Sequence, residues 1–86
     1  MLMLKNGMRP VHPGEILFED YIKPSGVSLS AVALALDMPH SELVALIEGR
    51  AKFTADIALR LERYWGSEAN GWLALQVTYD LRIAEG

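Results

Sequence analysis

The segment SLSAVALALDMPHSELVALIEG, Ser28–Gly49, decides the fold. Ser28 carries the side-chain oxygen that the unpaired N–H groups of an opening helix need. A helix is predicted from there to about Leu36, with Val32 and Leu36 one turn apart on a single apolar face. A second helix is predicted to open around Pro39-His40 and to stop at Gly49, a residue at ease in the left-handed geometry that ends helices. Its Leu43, Leu46 and Ile47 again share one face. Between the two, Asp37 must make the turn, which it does less easily than glycine, and Met38 fills the space inside it. Ala33 is small where the second helix is to cross the first.

These are the packing demands of a helix-turn-helix, two short helices crossing steeply around a tight turn. Outward from it the apolar periodicity stays helical, and no alternating stretch is long enough to argue for a sheet. Upstream, a first helix is predicted to start near His12-Pro13-Gly14-Glu15, since proline suits the first helical position. Glu15, Glu19 and Asp20 lie where the helix dipole favours negative charge, and Ile16, Leu17, Tyr21 and Ile22 form the buried stripe. Pro24 and Gly26 are expected to end this helix, because the residue before a proline avoids helical angles. Downstream, Arg50-Ala51-Lys52-Phe53 is a loop, and Thr54 caps a fourth helix that runs through Ala58 and Leu61 to about Trp65 and stops at Gly66. Ser67 is expected to cap a fifth helix carrying Trp72, Leu73, Leu75, Gln76, Tyr79 and Leu81. The fold class is therefore all-α, a compact five-helix domain. Its expected limits are residues 12–83, between an arm over 1–11 and a tail over 84–86.

With 86 residues there is room for one such domain, and 51% hydrophobic residues supply one core with apolar surface to spare. The absence of cysteine excludes disulfides, thiolate nucleophiles and thiolate metal sites, and fits a reducing cytosol. The opening MLMLKNGMRP is too short an apolar run for a signal-peptide core or a membrane span, so a cytoplasmic protein is expected. Net charge is −3, whereas nucleic-acid binders usually carry a basic balance or stripe.

Four segments carry a resemblance: MRPVHPGEIL at Met8–Leu17, IEGRAKFT at Ile47–Thr54, ADIALRLERYWG at Ala55–Gly66 and WLALQVTYDL at Trp72–Leu81. On these the chain resembles the HigA-type (virulence-associated protein I-like) plasmid-maintenance antitoxins, within the Cro/C1-type (XRE) helix-turn-helix family. The resemblance implies a lambda-repressor-like DNA-binding domain. It also implies a repressor that binds a palindromic operator of its own operon as a dimer and neutralises a RelE-like, HigB-type messenger-RNA-cutting toxin.

In a helix-turn-helix the second helix enters the major groove by its N-terminal residues. By the resemblance, the exposed reading face holds His40, Ser41, Val44 and Ala45, with Pro39 and Glu42 at the helix start. Ser41 accepts from or donates to several bases, His40 suits a purine or a phosphate, and Val44 and Ala45 suit thymine methyls. Glu42 either accepts from cytosine N4 or only caps the helix. The apolar pair Val44 and Ala45 is otherwise read as packing on a partner or as a small cost of exposure. Relatives often carry Arg near the positions of His40 and Ala45, and this chain does not. From Ser28 to Gly49 there is no Lys or Arg, while Asp37, Glu42 and Glu48 are present. Arg50 and Lys52 are either a solvated loop or, as the resemblance places them, phosphate contacts; Lys23 and Arg9 add to these if they share that side. Weak, salt-sensitive binding per subunit is expected, made useful by dimerisation. The competing reading is an interaction module that kept its protein partner and lost DNA affinity.

Trp65, Trp72, Phe53 and Tyr79 read as packing residues rather than base-stacking platforms. The fifth helix is apolar almost all round, where a surface helix should have one polar face. That excess predicts burial on two sides and a homodimer through Trp72, Leu75, Tyr79 and Leu81. Met1–Met8 is either disordered or a partner-binding strand. His12 and Glu15 could be imagined as half a metal site, but no further ligand lies nearby, so His12 is read as a helix N-terminus. No nucleophile–base pair and no phosphate-binding glycine loop is visible. No enzyme, catalytic residue, cofactor, metal or small-molecule substrate is expected.

Overall fold

His12 opens the first helix in the computed structural model, which describes residues 9–86. Its Nδ1 accepts the Gly14 N–H at 2.9 Å, and Pro13 takes the position where no N–H is needed. Helix α1 then runs without a break through Pro13–Ile16, Leu17–Ile22 and Lys23–Ser25. The middle segment is π-helical, so the Lys23 N–H reaches back to the Phe18 carbonyl. The expectation that Pro24 ends the helix is corrected here. Lys23 keeps helical angles, φ −59° and ψ −48°. The helix ends at Gly26, the other residue expected to stop it, left-handed at φ 72°. A widened turn before Pro24 relieves the clash between its ring and the carbonyl one turn back, which is why the proline is tolerated.

Helix α2, Leu29–Ala35, is capped by Ser28, whose Oγ accepts the Ala31 N–H at 3.2 Å. Asp37 makes the turn at φ 57°, the one non-glycine residue at positive φ among the described residues. Helix α3, His40–Ile47, follows Pro39, and Gly49 leaves it at φ 78°. The chain bends by 109° between α2 and α3, inside the range of a helix-turn-helix. Thr54 caps α4, Ala55–Trp65, by accepting the Ile57 N–H at 3.3 Å, and Gly66 ends it at φ 77°. Helix α5 is Ala69–Glu85, so the tail boundary expected at 84 falls inside the helix.

The expected cap of α5 is also corrected. Glu68 stands at the N-cap with no side-chain bond, and the Ala69 N–H donates to Glu62 Oε1 of α4 at 2.8 Å. Ser67 accepts from the Trp72 indole N–H at 2.8 Å instead. A buried indole must find an acceptor, and Ser67 is its partner. The arm expected over Met1–Met8 lies outside the described residues.

The core is drawn from all five helices: Leu17 and Ile22 from α1, Val32 and Ala33 from α2, Leu43 and Leu46 from α3, Ile57, Ala58 and Leu61 from α4, and Trp72 from α5. Each large aliphatic side chain so buried contributes roughly 1.5–3 kcal/mol. Ala33 is buried at the helix-turn-helix, and Met38 plugs the inside of the turn. Phe53 from the loop stacks on Trp72 with ring centroids 5.4 Å apart, and Tyr21 leans on the same indole at 5.2 Å. This cluster ties the loop after α3 to α1 and α5.

Candidate nucleic-acid interface

Helix α3 is split by its own periodicity. Leu43 and Leu46 are fully buried, which holds the helix against the core by one face. At its N-terminal end Pro39, His40, Ser41 and Glu42 are all exposed, and Val44 and Ala45, on the side away from Leu43 and Leu46, are half-buried. No side chain caps the first turn, so its leading N–H groups face solvent with the positive end of the helix dipole. His40, Ser41, Val44 and Ala45, the four residues expected on the reading face, thus belong to this helix, with Pro39 at its N-cap and Glu42 in its first turn.

Arg50 and Lys52 are exposed but sit at the far end of α3, about 12 Å from its start by helical rise. Both are engaged within the protomer. Arg50 donates to Glu48 Oε1 through Nε at 3.0 Å and Nη2 at 2.8 Å. Lys52 Nζ lies 3.4 Å from Asp80 Oδ2 on α5. Lys23 and Arg9 pair with Glu19 and Glu15, and the Arg9 guanidinium holds the Glu15 carboxyl below the usual carboxylate range.

Residues not expected at the site position this surface. Arg60 of α4 donates from Nη1 to the Leu36 carbonyl at 3.1 Å and to the Asp37 carbonyl. It clamps the turn, and Asp56 steadies it from one turn earlier at 3.1 Å. Nothing near the turn in sequence announces an arginine 23 positions downstream of Asp37. Gln76, almost fully buried, accepts the Phe53 N–H at 2.8 Å and donates to Asp80 Oδ1 at 3.0 Å. Its signal was present, in the Gln76, Tyr79 and Asp80 of the closing segment. That segment meets the opening one here, with the His12 and Tyr79 rings edge to face at 4.8 Å. Burial pushes the His12 imidazole below its ordinary pKa, while the Asp80 charge and the Ala51 carbonyl oppose that shift. Among the described residues, no three His, Asp or Glu converge as metal ligands, and no single helix is long and apolar enough to cross a membrane.

The four residues expected at a dimer interface do not share one environment. Trp72 is 3% exposed and packs inside its own protomer, so it has no face to offer a partner. Leu75 and Tyr79 are half-buried, and Leu81 is 58% exposed. The open apolar stripe of α5 is Ala74, Val77, Leu81 and Ala84, whose spacing keeps them on one side of the helix.

No protein-family model matches the chain. Individual proteins do. Virulence-associated protein I of Dichelobacter nodosus is 48% identical over 81 residues, 94% of this chain and 75% of that protein. The structure of antitoxin GraA in complex with its operator superposes with a TM-score of 0.83 at 44% identity, covering 96% of this chain and 84% of that one. Pseudomonas aeruginosa antitoxin HigA with the higBA promoter superposes with a TM-score of 0.84 at 36% identity, covering 88% and 83%. Identity of this order over nearly the whole described fold, the capped α1 and the 109° bend included, means that the chain belongs to the HigA-type antitoxins of the Cro/C1-type helix-turn-helix family.

Proposed function

We propose that this chain is a transcriptional repressor and antitoxin that binds its own operator as a dimer. The front of α3 enters the major groove, where Ser41 and His40 meet base edges or a phosphate and Val44 and Ala45 meet thymine methyls. The leading N–H groups of α3 add to phosphate contact, as do Arg50 and Lys52 beyond it. The observation that carries the reading is the 109° bend, which turns the exposed end of α3 outward while Leu43 and Leu46 pin its back to the core. The operator and promoter complexes of GraA and HigA support it. Both relatives are antitoxins, which supports a toxin partner, here of the RelE-like class. The role is binding rather than catalysis, and its place is the cytoplasm, where operator and toxin are reached. Two subunits joined along Ala74, Val77 and Leu81 would present two α3 helices to a palindrome.

Fluorescence anisotropy with the duplex upstream of its reading frame tests this, against a scrambled duplex, at about 50 mM and about 200 mM salt. Preference for the upstream duplex at both salts is expected, with a steep loss of affinity as salt rises. One observation favours the interaction-module reading: the helix-turn-helix contains no Lys or Arg. Absence of any sequence-specific binding at either salt would decide for it.

A further inference from the structure

The cations nearest α3 are not free. Arg50 is held by the nearby Glu48, an ordinary exposed surface pair. Lys52 is different, because its carboxylate comes from α5, 28 positions away in the chain. That carboxylate is fixed in place. Asp80 Oδ1 accepts from Gln76 Nε2 at 3.0 Å, leaving Oδ2 turned to Lys52 Nζ at 3.4 Å. Gln76 is itself 5% exposed and anchored by the Phe53 N–H, the residue next to Lys52. One buried amide therefore sets both the loop and the acid that faces it. An ordinary surface pair loses most of its attraction to the ordering of two long side chains. Here one partner is ordered beforehand, so only Lys52 has freedom to lose.

We infer that Asp80, positioned by Gln76, competes with DNA phosphates for Lys52 and so holds down the sequence-independent part of DNA affinity. This rests on the proposed operator binding. A phosphate must displace Asp80 or do without the lysine, and the acid remains beside the duplex in either case. The effect falls equally on all sequences, because phosphates carry no base information. Specificity is then left to the front of α3, which suits a reading helix poor in charge. Gln76 and Asp80 are positioning residues in this account and touch no base.

The test is D80N, which removes the charge and keeps an oxygen for Gln76 Nε2. Anisotropy titrations compare wild type, D80N, K52Q and the double variant on upstream and scrambled duplexes, with thermal melts confirming that each is folded. D80N is expected to bind both duplexes about two- to five-fold more tightly at low salt, the gain shrinking as salt rises. Most of that gain is expected to vanish in the K52Q background. If D80N gains as much without Lys52, Asp80 acts only by general repulsion and the inference is overturned. Unchanged or weaker binding by D80N overturns it too. Should D80N melt early, D80S provides the second test: it also removes the charge, a gain on both duplexes is expected only while Lys52 is present, and an equal gain in K52Q overturns the inference. A wild-type protein that prefers no duplex defeats the functional reading itself, and is told apart by showing no specific binding before any variant is compared.

Discussion

Gly14 of α1 lies directly beneath the Leu46 carbonyl of α3, so close that a Cβ added to it would stand 1.8 Å from that oxygen. The helix that opens the domain and the second helix of the helix-turn-helix are thus in backbone contact, without a side chain between them. His12 and Pro13 start α1 at the turn where this contact falls, and all three residues are buried. The opening HPGEIL is therefore a packing device: a cap, a pre-shaped first turn and a gap for the neighbouring carbonyl.

Gly14→Ala is expected to force the two helices apart and to cost about 2–3 kcal/mol, the upper range for overpacking a core. Thermal denaturation should show the midpoint lower by about 10–20 °C for a domain of this size. A melt within about 3 °C of wild type would mean that α1 and α3 separate freely.

Arg60→Met keeps the aliphatic stem and removes the donors that hold the Leu36 and Asp37 carbonyls. A loss of about 1–2 kcal/mol in urea denaturation is expected from the two abandoned acceptors. Because those carbonyls belong to the turn, operator affinity should fall by more than the stability change alone explains at a temperature where the variant is folded. Equal affinity in a folded R60M protein would show that the turn keeps its angle without the clamp.

Stability should fall on acidification through His12. Its folded pKa lies below the ordinary value of 6.5, chiefly because burial disfavours the charged ring. Above the unfolded value both states hold the neutral ring and the cap is intact. As pH drops below it, the unfolded chain takes up a proton that the folded one resists, so stability declines until the folded pKa is passed. His12→Asn keeps an acceptor for the Gly14 N–H without a titrating group. Urea midpoints measured from pH 7.5 to pH 5 should slope in the wild type and flatten by this contribution in H12N, about the two pH limits set by an imidazole. Identical slopes would remove His12 from the account.

Leu81 stands 58% exposed on the stripe with Val77, itself 56% exposed. Leu81→Glu places a charge in the proposed contact between subunits and leaves the protomer core untouched. Sedimentation is expected to shift from dimer to monomer, with operator affinity reduced about ten-fold or more as two linked half-sites become one. An L81E protein that remains dimeric would move the subunit contact elsewhere.

Much of this protein can be read along the chain, because local rules set its local structure. Ser28 and Thr54 cap their helices, Asp37 takes the left-handed turn, and Gly49 and Gly66 end helices where expected. In each case a side chain or a missing Cβ acts within four residues of itself, so spacing alone reveals it. The same holds for the apolar faces of α2 and α3, whose period dictates which side is buried. Other features depended on partners far away in sequence. Pro24 stayed helical because a wide turn made room for it, and Ser67 served an indole instead of a helix end. Arg60 reaches the turn only through the packing of α4, and Gln76 links the loop to α5 only because Phe53 is folded against Trp72. Trp72 itself looked available to a partner until the other helices closed over it. Backbone capping and helical period are short-range forces written into neighbouring residues, whereas burial and long-range hydrogen bonds exist only once separate helices have met.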